Sequence, residues 1–416
     1  MRSVIAVVIF MLCLWAAWIT GRMGYASLLS DNASKAILLS SASDNEIAAV
    51  NRAVQLTPLD PQAHIARAEI MRYFARDDEE ISEFTRAVAL RPHDYYLWLR
   101  LGFEQYYVKD MEGARVSLME AVRLAPYYAQ PRWWLGNALL KLGRRDEAFV
   151  ELHHAVASDP TLLDSMIALA WEAFGDDMRA IEQRVQPKTS SEYLALARSL
   201  VYHHHPDEAV AMFRTAGNTS DQDKQALVSA LLTEKKFPAA YEVWSSGRET
   251  NNAIGTLIDG SFENNIDPNN VAFGWQLTKD VKEAVLYLDP NEASTGARSV
   301  RLDFDGYSES SVPLVSQIVL VDPNTRYQLT FAARTKDVIA LGLPVITVTD
   351  AATKEQILAS AALPRGTSGW QNYTAPFTTS GSTSAVRIAL QRQACNEAPC
   401  LTYGQIWLDS FSMKKL

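Results

Sequence analysis

The chain has 416 residues, of which 48% are hydrophobic and 10% aromatic, and its formal net charge is −9. That length allows two or three domains, and the apolar and aromatic content excludes a disordered chain. The modest acidic balance argues against a phosphate-binding surface, and so against nucleic acid as a partner.

Met1-Arg2-Ser3 precedes an uncharged apolar run from Val4 to Thr20, closed by Gly21-Arg22. As helix this run spans about 26 Å, enough for a hydrocarbon core of about 30 Å. Trp15 and Trp18 sit toward one end, where interfacial aromatics are favoured. Residues 1–22 are therefore expected to be a single-pass anchor in the inner (cytoplasmic) membrane, with the bulk of the chain periplasmic. A cleaved signal with Gly24-Tyr25-Ala26 as the small-x-small site is the competing reading, and a buried soluble helix is the third. Residues 23–46 read as a linker or first helix.

Pro58, Pro92, Pro126 and Pro160 stand 34 positions apart, and Ala53, Ala87, Ala121 and Ala155 precede each by five. A fixed 34-residue period, with small residues at one phase and Pro at another, predicts stacked helical hairpins. Ala marks where helices come closest, and Pro ends each second helix. At these residues, and at Trp98, Leu101, Gly102, Ala114 and Leu118, the sequence resembles the tetratricopeptide repeat family, over roughly 47–247. Glu80 departs from the Ala phase, Ala68 replaces Gly, and the register slips after Pro160 to give about six units in all. The resemblance implies an α-solenoid whose concave groove holds another envelope or membrane protein. Plausible groove residues on first helices are His64, Arg67, Tyr95, Arg100, Gln130, Arg132 and Trp133, with packing as the alternative for some of them. His203-His204-His205 reads as a hairpin turn before the helix start at Pro206, not as a metal tract.

Residues 248–256 are linker-like, and from 257 to 416 helical periodicity gives way to short alternating runs such as Val300–Phe304, Tyr327–Ala332 and Ile406–Phe411. Seven or more strands predict an antiparallel β-sandwich or jelly roll. Asp259–Glu263, Gly274-Trp275, Gly296–Leu302, Trp370–Tyr373 and Gly404–Asp409 make the segment from roughly 254 to 416 resemble the carbohydrate-binding, galactose-binding-like jelly rolls of bacterial glycan-degrading enzymes. Such modules stack aromatic faces on sugar rings. Trp407 alternates with Ile406 and Leu408, so it points to the opposite face. With Tyr403, Arg387, Gln391, Tyr307 and Tyr373 it makes up the glycan-binding candidates, while Trp275 and Trp370 are expected to support the core. Glu263 and Asp409 resemble positions that hold a structural Ca²⁺ in the family, with ordinary carboxylates as the alternative. No other cofactor is expected.

Cys395 and Cys400, separated by Asn-Glu-Ala-Pro, are expected to close a small disulfide loop in an oxidising compartment; idle thiols or half a metal site are the alternatives. The sequence holds no nucleophile elbow, His-Glu-x-x-His, phosphate loop or dinucleotide fingerprint. The expectation is a non-enzymatic scaffold in surface polysaccharide or envelope biogenesis, with repeats on a protein and sandwich on glycan. The alternative is an assembly factor whose sandwich is a structural or protein-binding cap, sealed near Trp244.

Overall fold

The computed structural model describes residues 2–248, 254–266, 272–278, 284–307, 312–395 and 400–416. It divides into two compact units, Met1–Gln186 and Pro187–Leu416.

The first unit is helical. α1 (Arg2–Leu38) pairs with α2 (Asp44–Leu56), and three hairpins follow at the sequence period: α3 (Pro61–Tyr73) with α4 (Asp77–Leu90), α5 (Tyr95–Tyr107) with α6 (Met111–Leu124), and α7 (Ala129–Lys141) with α8 (Arg145–Ser158). A 3₁₀ turn at Pro160–Leu162 leads into a shorter pair, α9 (Leu163–Phe174) and α10 (Met178–Val185). Local chemistry fixes the starts. The Asp60 and Asp94 side chains accept from the Gln62 and Tyr96 amides, and Ser43 with Glu46 forms a capping box.

Small residues set the hairpin spacing. A Cβ on Gly102 would lie 2.6 Å from Leu118 Cγ, and one on Gly136 would lie 2.7 Å from Leu152 Cγ. One period earlier Ala68 and Phe84 take these two places in the same core cluster. The hairpin turns also repeat, with positive φ at Ala75 (55°), Lys109 (67°) and Gly143 (75°).

α1 is a single helix across the expected anchor and the 23–46 segment, so no linker lies between residues 22 and 38. Its stretch from Ile5 to Leu38 is long and apolar enough to cross a membrane. Ala26, Ser30 and Ala33 are nevertheless buried, against α2 and α3.

The second unit opens with two more hairpins, α11 (Ser190–Tyr202) with α12 (Pro206–Ala216) and α13 (Asp221–Thr233) with α14 (Phe237–Ser245). With the α1–α2 pair included, the described helices form seven hairpins. His203, His204 and His205 make the α11–α12 turn, with His204 at φ 67° and Pro206 opening α12.

Among the described residues, ten strands follow in two antiparallel sheets. One has the order β1 (Gln276–Leu277), β4 (Val315–Leu320), β9 (Ala385–Arg392), β6 (Pro344–Asp350), β7 (Gln356–Ala359). The other runs β2 (Ala284–Asp289), β3 (Ser299–Tyr307), β10 (Leu401–Lys415), β5 (Arg326–Ala340), β8 (Gly366–Thr378). Both sheets turn alternate side chains into one core, including Val319, Ile346 and Ile388 from the first and Leu302, Phe331, Ile406 and Leu408 from the second.

Candidate functional site

Three of the residues expected to line the repeat groove, His64, Arg67 and Arg132, hold the repeats together instead. His64, Trp98 and Arg132 are one period apart, and each points back to the carbonyl of the proline six residues earlier. His64 Nε2 lies 3.0 Å from Pro58 O, Trp98 Nε1 donates to Pro92 O at 2.9 Å, and Arg132 Nε donates to Pro126 O at 2.8 Å. These carbonyls follow helix ends, where backbone acceptors lack helical partners. His64 is buried, and its Nδ1 also lies 2.5 Å from Glu83 Oε2. Both ring nitrogens therefore face acceptors, which only the imidazolium satisfies. The Glu83 hydrogen bond pushes the His64 pKa up against the opposing effect of burial. Burial works against the Glu83 charge, but His64 and Arg67 outweigh it and hold that pKa down. Arg67 also donates to Asn51 (2.7 Å) and Glu79 (3.2 Å), and Arg132 donates to Glu151 (2.6 Å). His64, Arg67 and Arg132 are thus corrected to structural clamps.

Of the remaining four, Arg100 is likewise engaged within the repeats, with its Nη2 buried. Gln130 is exposed and Trp133 half-buried, and the Tyr95 ring lies 5.1 Å from that of Tyr128. Arg100 lies over Phe84 at 5.1 Å, 3.8 Å from Glu69 and 3.9 Å from Glu104. Next to it Glu80, at the phase that Ala occupies elsewhere, is buried with Oε1 lacking a hydrogen-bond partner. Burial, then the Glu104 charge, pushes the Glu80 carboxyl up to about 8.

The sequence reading missed a larger feature. Phe103, Tyr106 and Tyr107 of α5 meet Trp134 of α7 at 4.7, 5.4 and 6.2 Å between ring centroids. Tyr107 is exposed, and the other three are half-buried. Their i, i+3, i+4 spacing on α5 was the available signal. Farther along α7, Asn137, Leu140 and Lys141 border a cavity of about 150 Å³ with Leu169 and Glu172 of α9, and Lys141 pairs with Glu172 at 3.0 Å.

In the sheets, Trp407 faces away from the core that holds Ile406 and Leu408, yet it is only 3% exposed. Arg301 on β3 and Arg334 on β5 lie 5.1 and 5.2 Å from its ring, and its Nε1–H donates to Asp289 Oδ2 at 2.9 Å. Burial opposes the Asp289 charge, but the Trp407, Asn291 and Arg301 donors hold its pKa down. Trp407 is corrected from a sugar platform to the centre of a packed network.

Tyr373 is likewise taken up by packing. Its ring stacks on Phe331 at 4.9 Å with 5° between planes, its hydroxyl donates to Gln371, and burial raises its pKa. Arg387 and Gln391 do not share a face with Trp407, because β9 belongs to the other sheet. There Arg387 donates to Ser316 Oγ at 3.1 Å, and burial lowers its pKa. Gln391 accepts from Thr347 at 2.9 Å. Tyr403 alone among the described candidates of the Trp407 sheet is exposed, between Asp305 and Ile339. Tyr307 ends β3, and its side chain lies outside the described residues. Trp275 is buried against Phe262 and Phe411, while Trp370 is half-buried.

Glu263 and Asp409 both hold the segment after β2. Asp409 accepts from the Ser294 and Thr295 amides at 2.7 and 2.9 Å, and Glu263 accepts from the Ala297 amide at 2.9 Å. Burial raises the Asp409 pKa, with the nearby Glu263 charge adding to the rise and the amides opposing it. Asp409 Oδ2 and Glu263 Oε1 thus already accept backbone N–H groups. Among the described residues no group of three His, Cys, Asp or Glu is placed to hold a metal.

Cys395 and Cys400 form a disulfide with 6.1 Å between Cα atoms. Arg392 is buried against it, donating to the Cys400 carbonyl at 3.0 Å and to Gly342 O at 3.3 Å. Within the second unit, Tyr241 and Trp244 of α14 meet the Phe273 ring at 4.9 and 5.7 Å. Tyr241 and Phe273 border a cavity of about 100 Å³ with Ile318 and Leu320 of β4.

No family model matches the chain. Anaphase-promoting complex subunit 3 of Schizosaccharomyces pombe is 22% identical over 164 residues, which is 38% of this chain. The chain spans about a quarter (25%) of the length of that curated relative. Among solved structures, PilF of Pseudomonas aeruginosa is 14% identical and covers 54% of this chain and 90% of its own, with a TM-score of 0.33. MamA from Desulfovibrio magneticus RS-1 is 15% identical, covers 46% and 93%, and has a TM-score of 0.32. The CBM22-1 xylan-binding domain of Xyn10C from Paenibacillus barcinonensis is 16% identical, covers 39% and 97%, and has a TM-score of 0.27. Likenesses this distant assign neither an activity nor a partner. The chain's own 34-residue hairpins make the helical half a tetratricopeptide-like repeat array, and two antiparallel sheets follow it.

Proposed function

We propose that this protein is a non-catalytic scaffold in which the repeat array binds another envelope or membrane protein, while α1 anchors the chain with its bulk outside the cytoplasm. The observation that carries the binding role is the ring cluster of Phe103, Tyr106, Tyr107 and Trp134, which leaves aromatic surface open on adjacent first helices. Tyr and Trp dominate binding energy at protein interfaces, because they bury much apolar area at little cost in side-chain entropy. The length and hydropathy of α1 support the anchor. The Cys395–Cys400 disulfide supports an oxidising compartment.

For the β-sandwich, this reading favours the cap over the glycan ligand. Trp407 is covered on its ring by two guanidinium groups, and α14 sits against Phe273 beside β4. A jelly-roll module contacting surface polysaccharide is the second reading, and one observation favours it. The half-buried Arg387 guanidinium has the Ser316 hydroxyl as its one partner among the described residues, leaving N–H donors for sugar oxygens. Structural Ca²⁺ at Glu263 and Asp409 is not part of either reading.

Photo-crosslinking in cells from benzoylphenylalanine at Tyr107 tests the groove. A discrete protein adduct, lost when Phe103 and Trp134 are both changed to Ala, is expected; an adduct unaffected by that double change sinks the groove reading. A glycan array probed with the whole protein separates the sandwich readings, since retention that Arg387→Ala abolishes favours the second.

A further inference from the structure

α1 has no break between its apolar half and its packed half. From Ile5 to Leu28 large apolar side chains remain exposed, among them Trp15, Trp18, Met23, Tyr25 and Leu28. About 24 residues of helix cover about 36 Å, already more than a hydrocarbon core of about 30 Å. The packed half begins inside the same stretch, where Ala26 clusters with Ala53 and Ala63. Ala33 clusters with Val50, Ala66 and Ile70, so α1 and α3 run parallel and Ala26 lies level with the first turn of α3. At the same level the Arg22 guanidinium donates to the carbonyl of Leu56, the last residue of α2. The apolar segment therefore reaches the edge of the array where α3 starts, with no spacer.

By the period of the repeats, α5 and α7 start at that same edge. The residue after each period proline is exposed, with Leu59 at 80% and Tyr127 at 88%, and Tyr96 and Tyr128 lie beside them at 50% and 58%. Arg52 and Arg91 are exposed there too, while the Asp60 and Asp94 carboxylates turn inward onto helix amides. Leucine and tyrosine with basic neighbours match a bilayer interface carrying anionic headgroups.

We infer that this edge, with Leu59, Tyr127 and Tyr128 foremost, rests on the headgroup region of the bilayer that α1 enters. The inference depends on the anchor reading above. A helix without a joint couples the position of this edge to the bilayer that α1 enters.

The whole protein in phosphatidylethanolamine–phosphatidylglycerol liposomes carrying nitroxide headgroup lipids tests this. An NBD label on Cys13, the free cysteine, reports insertion of α1. In a Cys13→Ser background, labels at Leu59→Cys and Tyr127→Cys report the edge, and Asp78→Cys at the start of α4 is the opposite-edge control. Quenching at 59 and 127 at least threefold stronger than at 78 is expected. If Cys13 is embedded while 59 and 127 behave like 78, the edge contact is wrong. If Cys13 itself stays in water, the anchor reading falls first and takes the edge contact with it.

Discussion

Trp98 donates its indole N–H to the carbonyl of Pro92 at 2.9 Å. His64 and Arg132 reach Pro58 and Pro126 in the same way one period earlier and one later. Three chemically unlike side chains thus complete the same carbonyl after the second helix of successive repeats. The period conserves a contact while the residue type changes.

Trp98→Phe keeps a ring but removes the donor. One hydrogen bond contributes about 1 kcal/mol net, so urea unfolding of the full chain should lose about that much. A loss of about 3 kcal/mol or more would assign the role of Trp98 to packing instead.

His64 and Glu83 define a pH window. The His64 pKa is raised, so its contribution is complete below about 6.5 and is lost as pH climbs through the folded value. The Glu83 pKa is lowered, so its contribution is complete above about 4.5 and is lost as pH falls through the folded value. His64→Gln should flatten the alkaline limb of a melting-temperature profile. A profile unchanged by that variant would remove the imidazolium from the account.

Glu80 acts with the same sign as His64. With a folded pKa of about 8, the folded chain holds a proton that the unfolded chain releases near pH 4.5, so stability falls between those values and then levels off. Glu80→Gln should remove this slope. Glu80→Ala, which restores the residue of the other repeats, should raise stability above pH 8 by a few kcal/mol at most. An unchanged slope in both variants would contradict the buried carboxyl.

The turn positions give a matched pair. Lys109 carries φ 67° and Gly143, one period later, φ 75°. Lys109→Gly should stabilise and Gly143→Ala destabilise, each by about 1 kcal/mol, because only Gly meets this conformation without steric cost. Thermal melts of the two variants moving in the same direction would refute the argument.

Trp407→Phe should strip Asp289 of one donor and cost about 1–3 kcal/mol. Any retention of the chain on immobilised polysaccharide should be unaffected. Selective loss of retention with unchanged stability would return Trp407 to the ligand surface.

The helical hairpins were legible from Pro58 to Pro160 because one residue type per phase is enough to stop a helix or let two approach. The outward direction of Trp407 was legible from strand alternation with Ile406 and Leu408. Spacing alone could not say which polar residues of the first helices are free. Glu83, which engages His64, lies 19 positions along the chain, and Asn51 and Glu79 reach Arg67 from two other helices. Nor could it say what covers Trp407, since Arg301 and Arg334 arrive only through the register of β3 and β5 on β10.

The sequence by itself determined the repeats, the strands and the apolar N-terminus, because each follows from periodicity and local stereochemistry along one stretch of chain. Only the tertiary structure decided that α1 runs unbroken into the array, and that the expected groove residues His64, Arg67 and Arg132 and the expected glycan residue Trp407 are already engaged. Charge pairing and ring burial depend on distances through space, and those exist only once the helices and sheets have packed.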